Sequence, residues 1–178
     1  GVLLFATSRE TRDRISDGWD KSEKTYLAVV EGKPDPAHGT INQPLRQDEN
    51  GFRAHVGNHA EAKRAVTHFK TISKSEINLP QGKFQTSRYS LIDVSPETGR
   101  MHQIRKHMAH LRHPIIGDRP HGCNKQNKLF LEKFNMNTMM LHARQLQFIH
   151  PVTNLDLTIN ASMKSEFSRM IDSLKLYY

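Results

Sequence analysis

The sequence predicts an α+β protein built around a sheet, on three observations. Short runs rich in β-branched and aromatic residues, bounded by Gly, Pro and Asn, mark several strands. Other stretches space apolar residues three and four apart, as helices do. The two kinds of element follow one another without the strict alternation that builds a parallel sheet.

Taken in order, VLLFATS (Val2 to Ser8) reads as a buried strand. Ser8 is placed to cap a helix reaching Ser22, along which Thr11, Ile15 and Trp19 recur every fourth residue. KTYLAVVEG (Lys24 to Gly32) is a strand that stops at glycine. Lys33 to Thr40 is a turn-rich loop, and the polar stretch Ile41 to Gly57 holds a candidate hairpin turn at Asn50–Gly51. Ala65 to Ser73 and Thr86 to Pro96 are strands, with Pro80 and Gly82 in the loop between them. Glu97–Thr98–Gly99 is a turn, and a helix is expected from Arg100. Its Met101, Ile104, Met108 and Leu111 form one apolar stripe, and Pro114 stops it. Ile115 to Gly122 is a loop, and Gln126 to Phe134 a short helix. Met140 to Pro151 and Leu155 to Ala161 are strands joined at Thr153–Asn154. A last helix starts near Ser162 and gathers Phe167, Met170, Ile171 and Leu174 on one face.

With 178 residues, the chain is long enough for one domain with its own core. Lys and Arg outnumber Asp and Glu by 26 to 18, giving a formal charge of +8. That balance suits a polyanionic partner such as nucleic acid. Cys123 is the single cysteine, so an internal disulfide and a cysteine-built zinc cage are excluded, which fits a reducing, cytoplasmic setting. No apolar run approaches the roughly 20 residues that span a bilayer. The chain opens on Gly1 directly into an apolar run, which is the pattern expected of a piece of a longer protein.

The stretch SPETGRMHQIRKHMAHLRHP (Ser95 to Pro114) concentrates Arg100, Arg105, Lys106 and Arg112 among four histidines. A metal site fits it poorly. No carboxylate or thiolate lies between Arg100 and Pro114, and the neighbouring cations repel a metal. A solvated helix face explains Lys106 and Arg112. It does not explain Arg100, which the turn would put at a helix N-terminus, where the macrodipole disfavours a cation. A phosphate held by Arg100 and backbone amides would. Arg105 lies close to the apolar stripe, where an inward-pointing arginine calls for a carboxylate partner. Asp118, in IIGDRPHG, reads as a turn residue.

Four motifs then stand in one order along the chain. TGRMHQIRKHMAHLRHPIIGD resembles the third motif of the RluA-type pseudouridine synthases, and KTYLAVVEG resembles their second, a Lys–x–Tyr–x–Ala strand. MLHARQLQFIHP is similar to their C-terminal Leu-His-Ala strand. GVLLFATS is similar to the end of their first motif, His-Arg-Leu-Asp-x-x-Thr-Ser-Gly and an apolar strand. The stretch from Thr86 to Asp118 and the later HGCNKQN are most similar to the branch of that family acting on tRNA.

The resemblance implies a mixed, largely antiparallel sheet flanked by helices, with a central RNA-binding cleft, in one catalytic domain over residues 1–178 that is incomplete at its N-terminus. It implies isomerisation of a uridine to pseudouridine in tRNA, with ribosomal RNA as the alternative substrate, and with neither cofactor nor metal. Tyr26 matches the tyrosine that stacks on the target base and helps take its C5 proton. Arg105 matches the arginine that pairs with the essential aspartate. Lys24, Arg88, Arg100, His102 and Lys106 are the candidate RNA contacts. The essential aspartate itself falls five residues before the glycine matching Gly1 and is absent from this sequence. The chain alone is therefore expected to be inactive unless a separate N-terminal polypeptide completes the site. On residue types alone, Tyr26 reads as core and Arg105 as a structural ion pair, and a noncatalytic RNA-binding module remains the rival.

Overall fold

The computed structural model describes residues 1–46 and 62–177. A short helix, α1 (Arg9–Asp17), and a 3-10 turn at Trp19–Lys21 lead into strand β1 (Glu23–Glu31). There follow β2 (His38–Asn42), β3 (Leu45–Arg46), β4 (Ala62–Lys63), β5 (Val66–Ile77) and β6 (Ser87–Pro96). Helices α2 (Gln103–His110) and α3 (Asn124–Phe134) precede β7 (Leu141–Ile149) and β8 (Asp156–Asn160), and α4 (Ser165–Ser173) comes last. Six strands form one antiparallel sheet in the order β2-β5-β6-β1-β7-β8, while β3 and β4 make a small separate ladder.

Side chains alternate across a strand, and here both faces of the central strands are covered. Leu27 and Val29 of β1, with Tyr89 and Leu91 of β6, pack under α3 and α4 against Phe130, Phe167 and Met170. Ala28, Val30, Ile92 and Val94 face the other way, against Ile104 and Met108 of α2. That is why β1 and β6 read as near-continuous apolar runs. The Tyr89 hydroxyl, buried with its ring, donates to Gln126 Oε1 at 2.9 Å.

Four expectations need correction. Residues Val2 to Ser8 form no strand. The Val2 amide donates to the Ala143 carbonyl, but Leu3 and Phe5 are 80% and 82% exposed and find no core to join among the described residues. The expected Lys33 to Thr40 loop already contains the start of β2, because His38 to Asn42 pairs along β5. Helix α2 begins at Gln103 rather than Arg100. His102 adopts a left-handed conformation (φ 56°), which breaks a helical path before it can start. Met101 is consequently outside the helix and partly exposed. The last helix starts at Ser165, not Ser162. The Asn50–Gly51 turn lies outside the described residues.

The chain leaving α2 is tied down at one glycine. Gly117 has φ +80°, and any Cβ there would run into the Thr138 carbonyl. Its amide donates to Asn127 Oδ1 at 2.9 Å, and Asn127 Nδ2 donates to the Asp118 carbonyl at 2.8 Å. The loop is thus fastened to α3, and Asp118 is held beneath α2.

Candidate active site

At the α2 end of β1 and β6 the sheet opens into a cavity of about 260 Å³. Lys24 and Tyr26, two residues apart on β1, stand on the same side of the strand and line it. The turn after β6 adds Thr98, Gly99, Arg100 and His102, α2 adds Gln103, Ile104 and Arg105, and Trp19, Pro96 and Leu141 complete the wall. Three cations and no carboxylate occur among these lining residues, so the cavity attracts anions.

Tyr26 sits at an irregularity in the sheet. Between Thr25 and Tyr26 the register with β7 slips, so that Thr25 faces Gln145 while Tyr26 faces Ala143. A bulge of this kind re-aims the neighbouring side chain. The Tyr26 ring is partly buried against the α2-side core, and burial pushes its hydroxyl pKa up. Lys24 lies 4.7 Å above the centre of the Trp19 ring and donates to the Trp19 carbonyl at 3.4 Å. Burial lowers its pKa, and the Asp20 charge opposes that shift.

Gln103 builds the turn. Its Nε2 donates to the Val66 carbonyl (2.8 Å) and Thr67 Oγ1 (2.9 Å); its Oε1 accepts from the Thr98 hydroxyl (2.7 Å) and the Arg100 amide (3.0 Å). Behind it, His107 Nε2 donates to the Gln43 carbonyl at 3.0 Å, and Thr67 Oγ1 lies 2.8 Å from His107 Nδ1. Gln103→Leu removes four bonds from a buried group and is expected to cost about 1–3 kcal/mol. Urea unfolding of the purified chain checks this through the shift in midpoint.

Arg105 reaches a carboxylate that the sequence reading assigned to a turn. Its Nε and Nη2 donate to Asp118 Oδ2 and Oδ1 at 2.8 and 2.7 Å. Asp118 is 1% exposed and Arg105 15%. Burial alone would raise the Asp118 pKa, but the Arg105 hydrogen bonds, the His121 amide and the nearby positive charge hold it below the ordinary value. Asp118 also serves the turn, since it accepts the His121 amide at 3.1 Å. His102 Nδ1 and His121 Nε2 share a hydrogen bond of 3.0 Å beside this pair. Burial lowers both imidazole pKa values. The Arg105 and Lys106 charges lower them further, and Asp118 opposes.

The cavity therefore brings together Lys24, Tyr26, Arg100, His102 and Arg105. Arg100 is not at a helix end: its Nε donates to the Arg64 carbonyl at 3.0 Å from the turn before α2. Lys106 points to the Arg46 carbonyl (3.4 Å), outside the lining. Arg88 lies at the opposite end of β6, where it and Lys33 bond to Glu76 at 3.0 and 3.1 Å. Thr86, Lys33 and Arg88 together lower the Glu76 pKa to about 2. His113 Nδ1 donates to the Glu31 carbonyl and His142 Nε2 to that of Ala161. Sequence reasoning missed Trp19, Gln103 and Asp118 as parts of this site. Only Trp19 left a signal, as the chain's one tryptophan three turns after a helix cap.

The family model for RNA pseudouridylate synthases matches residues 1–110. The tRNA pseudouridine synthase C of Vibrio parahaemolyticus is 40% identical over 173 residues, covering 96% of this chain and 70% of its own length. That of Haemophilus ducreyi is 38% identical over 180 residues, covering 100% of this chain and 74% of its own length. Among solved structures, human RNA pseudouridylate synthase domain containing 4 superposes with a TM-score of 0.72 at 22% identity, covering 100% of this chain and 72% of the human one. Human RNA pseudouridylate synthase domain containing 1 gives 0.65 at 20% identity, with 96% and 73% covered. These two share the fold.

Proposed function

The chain belongs to the RNA pseudouridylate synthase family, and from that premise we propose that it isomerises a uridine of tRNA to pseudouridine, with Tyr26 and Arg105 at the reacting base. The observation that carries this reading is the meeting of Tyr26 from β1 and Arg105 from α2 in one cation-lined cavity. Relatives named for tRNA pseudouridine synthesis support the choice of substrate.

The reaction neither adds nor removes atoms. The C1′–N1 bond breaks, the uracil turns, and a C1′–C5 bond forms. C5 loses its proton, and N1, which carries none in uridine, gains one. A uridine in folded RNA must leave its stack to reach such a cavity, and an aromatic platform holds it once there. Tyr26 supplies the platform. A tyrosine phenol is protonated at neutral pH and burial pushes its pKa further up, so Tyr26 moves the C5 proton by relay, accepting it while passing its own to water, as N1 takes one up. Arg105 aims and keeps ionised the acid that starts the reaction. Lys24, Arg100 and His102 hold the flanking phosphates in this reading, with Lys106 and Arg88 further along the strand's path.

That acid is the motif aspartate preceding the glycine that matches Gly1. We therefore propose that residues 1–178 alone do not turn over, and that the upstream residues, in the same chain or a separate one, restore activity. Residues 1–178 would then be one catalytic domain working in the cytoplasm. Among the described residues, no helix is long and apolar enough to cross a membrane.

The test is pseudouridine formation in bulk unmodified tRNA, mapped by site, with the natural gene product. Product at one tRNA position is expected. Product in ribosomal RNA alone would overturn the substrate, and no product in either RNA would overturn the reaction. RNA affinity should also fall steeply with salt. Each phosphate contact contributes about −0.9 to the slope of log K against log salt for duplex and about −0.7 for single strands. Arg100→Gln should flatten that slope by roughly one such contact. Arg88→Gln should flatten it less, because Arg88 already holds Glu76. A salt titration of tRNA binding separates the two.

A further inference from the structure

Arg105 is a fork with two usable edges, and one of them is taken by Asp118. The Nε and Nη2 hydrogens go to Asp118, as a bidentate pair of 2.8 and 2.7 Å. Nη1 and the second Nη2 hydrogen remain on the outer edge. Asp118 does not line the cavity and is 1% exposed, so it cannot touch a substrate there. Arg105 does line it.

Asp118 is itself fixed from three directions. The His121 amide donates to its Oδ1, Asn127 Nδ2 donates to its carbonyl oxygen, and Gly117, the residue before it, is the one whose conformation and close approach to Thr138 exclude a side chain. A carboxylate held that firmly does more than neutralise a charge. Two parallel bonds fix the plane of the guanidinium, which one bond would leave free to turn.

We propose that Asp118 is a positioning residue for Arg105: it grips the inner edge of the guanidinium and presents the outer edge to the reacting acid beside Tyr26. The inference rests on the functional reading given above. It adds a second carboxylate to the site, with a role distinct from the first. One acid reacts, and the other sets the angle of the arginine between them. Misplacement of a reacting group by about an ångström can cost about 100-fold in rate.

The experiment compares Asp118→Asn, Asp118→Glu and Asn127→Ala in the natural gene product. Asp118→Asn keeps the shape but removes the charge and one acceptor. Its kcat on tRNA should fall by about 100-fold with KM within about threefold. Asp118→Glu should recover part of the loss. Asn127→Ala loosens the loop without touching the pair and should cost kcat roughly tenfold. It decides the matter if Asp118→Asn does not fold. Nitrogen-resolved NMR of Arg105 gives a reading independent of turnover. Its Nε–H signal should exchange slowly in the parent and rapidly in Asp118→Asn. An unchanged kcat in a folded Asp118→Asn, or an unchanged Arg105 signal, overturns the proposal. So does a loss seen wholly in KM. If the parent makes no pseudouridine in any RNA, the functional reading falls and the proposed role falls with it. A slow Arg105 signal in that case would show the grip alone.

Discussion

Tyr26→Phe in the natural gene product is expected to slow pseudouridine formation by about 1,000-fold while leaving tRNA affinity within about threefold. The ring survives the change, so the base platform and the packing against the α2-side core survive with it. What is lost is the hydroxyl that relays the C5 proton. Affinity stays because phosphate contacts supply most of it, and Lys24, Arg100 and His102 are untouched. Single-turnover kinetics and a binding titration on the same preparation check both halves. A wild-type rate in Tyr26→Phe would reduce Tyr26 to a wall of the cavity. An equal fall in rate and affinity would make it a binding residue only.

Arg105→Met should destabilise the fold by about 3–5 kcal/mol, because it leaves the Asp118 carboxylate buried without its partner. For a chain of this size that lowers the melting temperature by roughly 6–20 °C. The pH dependence should change sign as well. In the parent, the folded-state pKa of Asp118 is depressed. The stability it contributes is present above the unfolded carboxylate value of about 3.9 and is lost as pH falls through the lower folded value. Without Arg105, burial raises the folded value instead. The variant should then be more stable in mild acid than at neutral pH. Melting curves of the 178-residue chain across the acidic range suffice. Parallel curves for parent and variant would show that the pair carries no net stability.

The central strands and α4 were legible because their periods are strong. β1 and β6 are apolar on both faces, and Phe167, Met170 and Ile171 mark one side of α4. The candidate cavity was legible in part, since the motifs carrying Tyr26 and Arg105 both line it. Asp118 was readable as a turn former, and it is one, but its bond to Arg105 spans two elements and leaves no local pattern. Gln103 was hidden for the same reason, since its partners Val66 and Thr67 come from a distant strand. Val2 to Ser8 misled in the other direction. An apolar run announces a strand only if a neighbour receives it, and among the described residues Leu3 and Phe5 have none.

The slip beside Tyr26 works as a change of phase in β7. Leu141 faces Ala28 and Leu146 faces Lys24, so both lie on the cavity side of the sheet although one number is odd and the other even. The extra residue, Arg144, absorbs the difference. Deleting it would make a regular ladder and leave Leu141 opposite Ala28 and Leu146 opposite Lys24, so that both halves of β7 keep their present faces and only the bulge beside Tyr26 is lost. The bulge is thus a place where this strand can lose one residue and keep every neighbour in frame, whereas a second residue inserted there would have no slack left to absorb it.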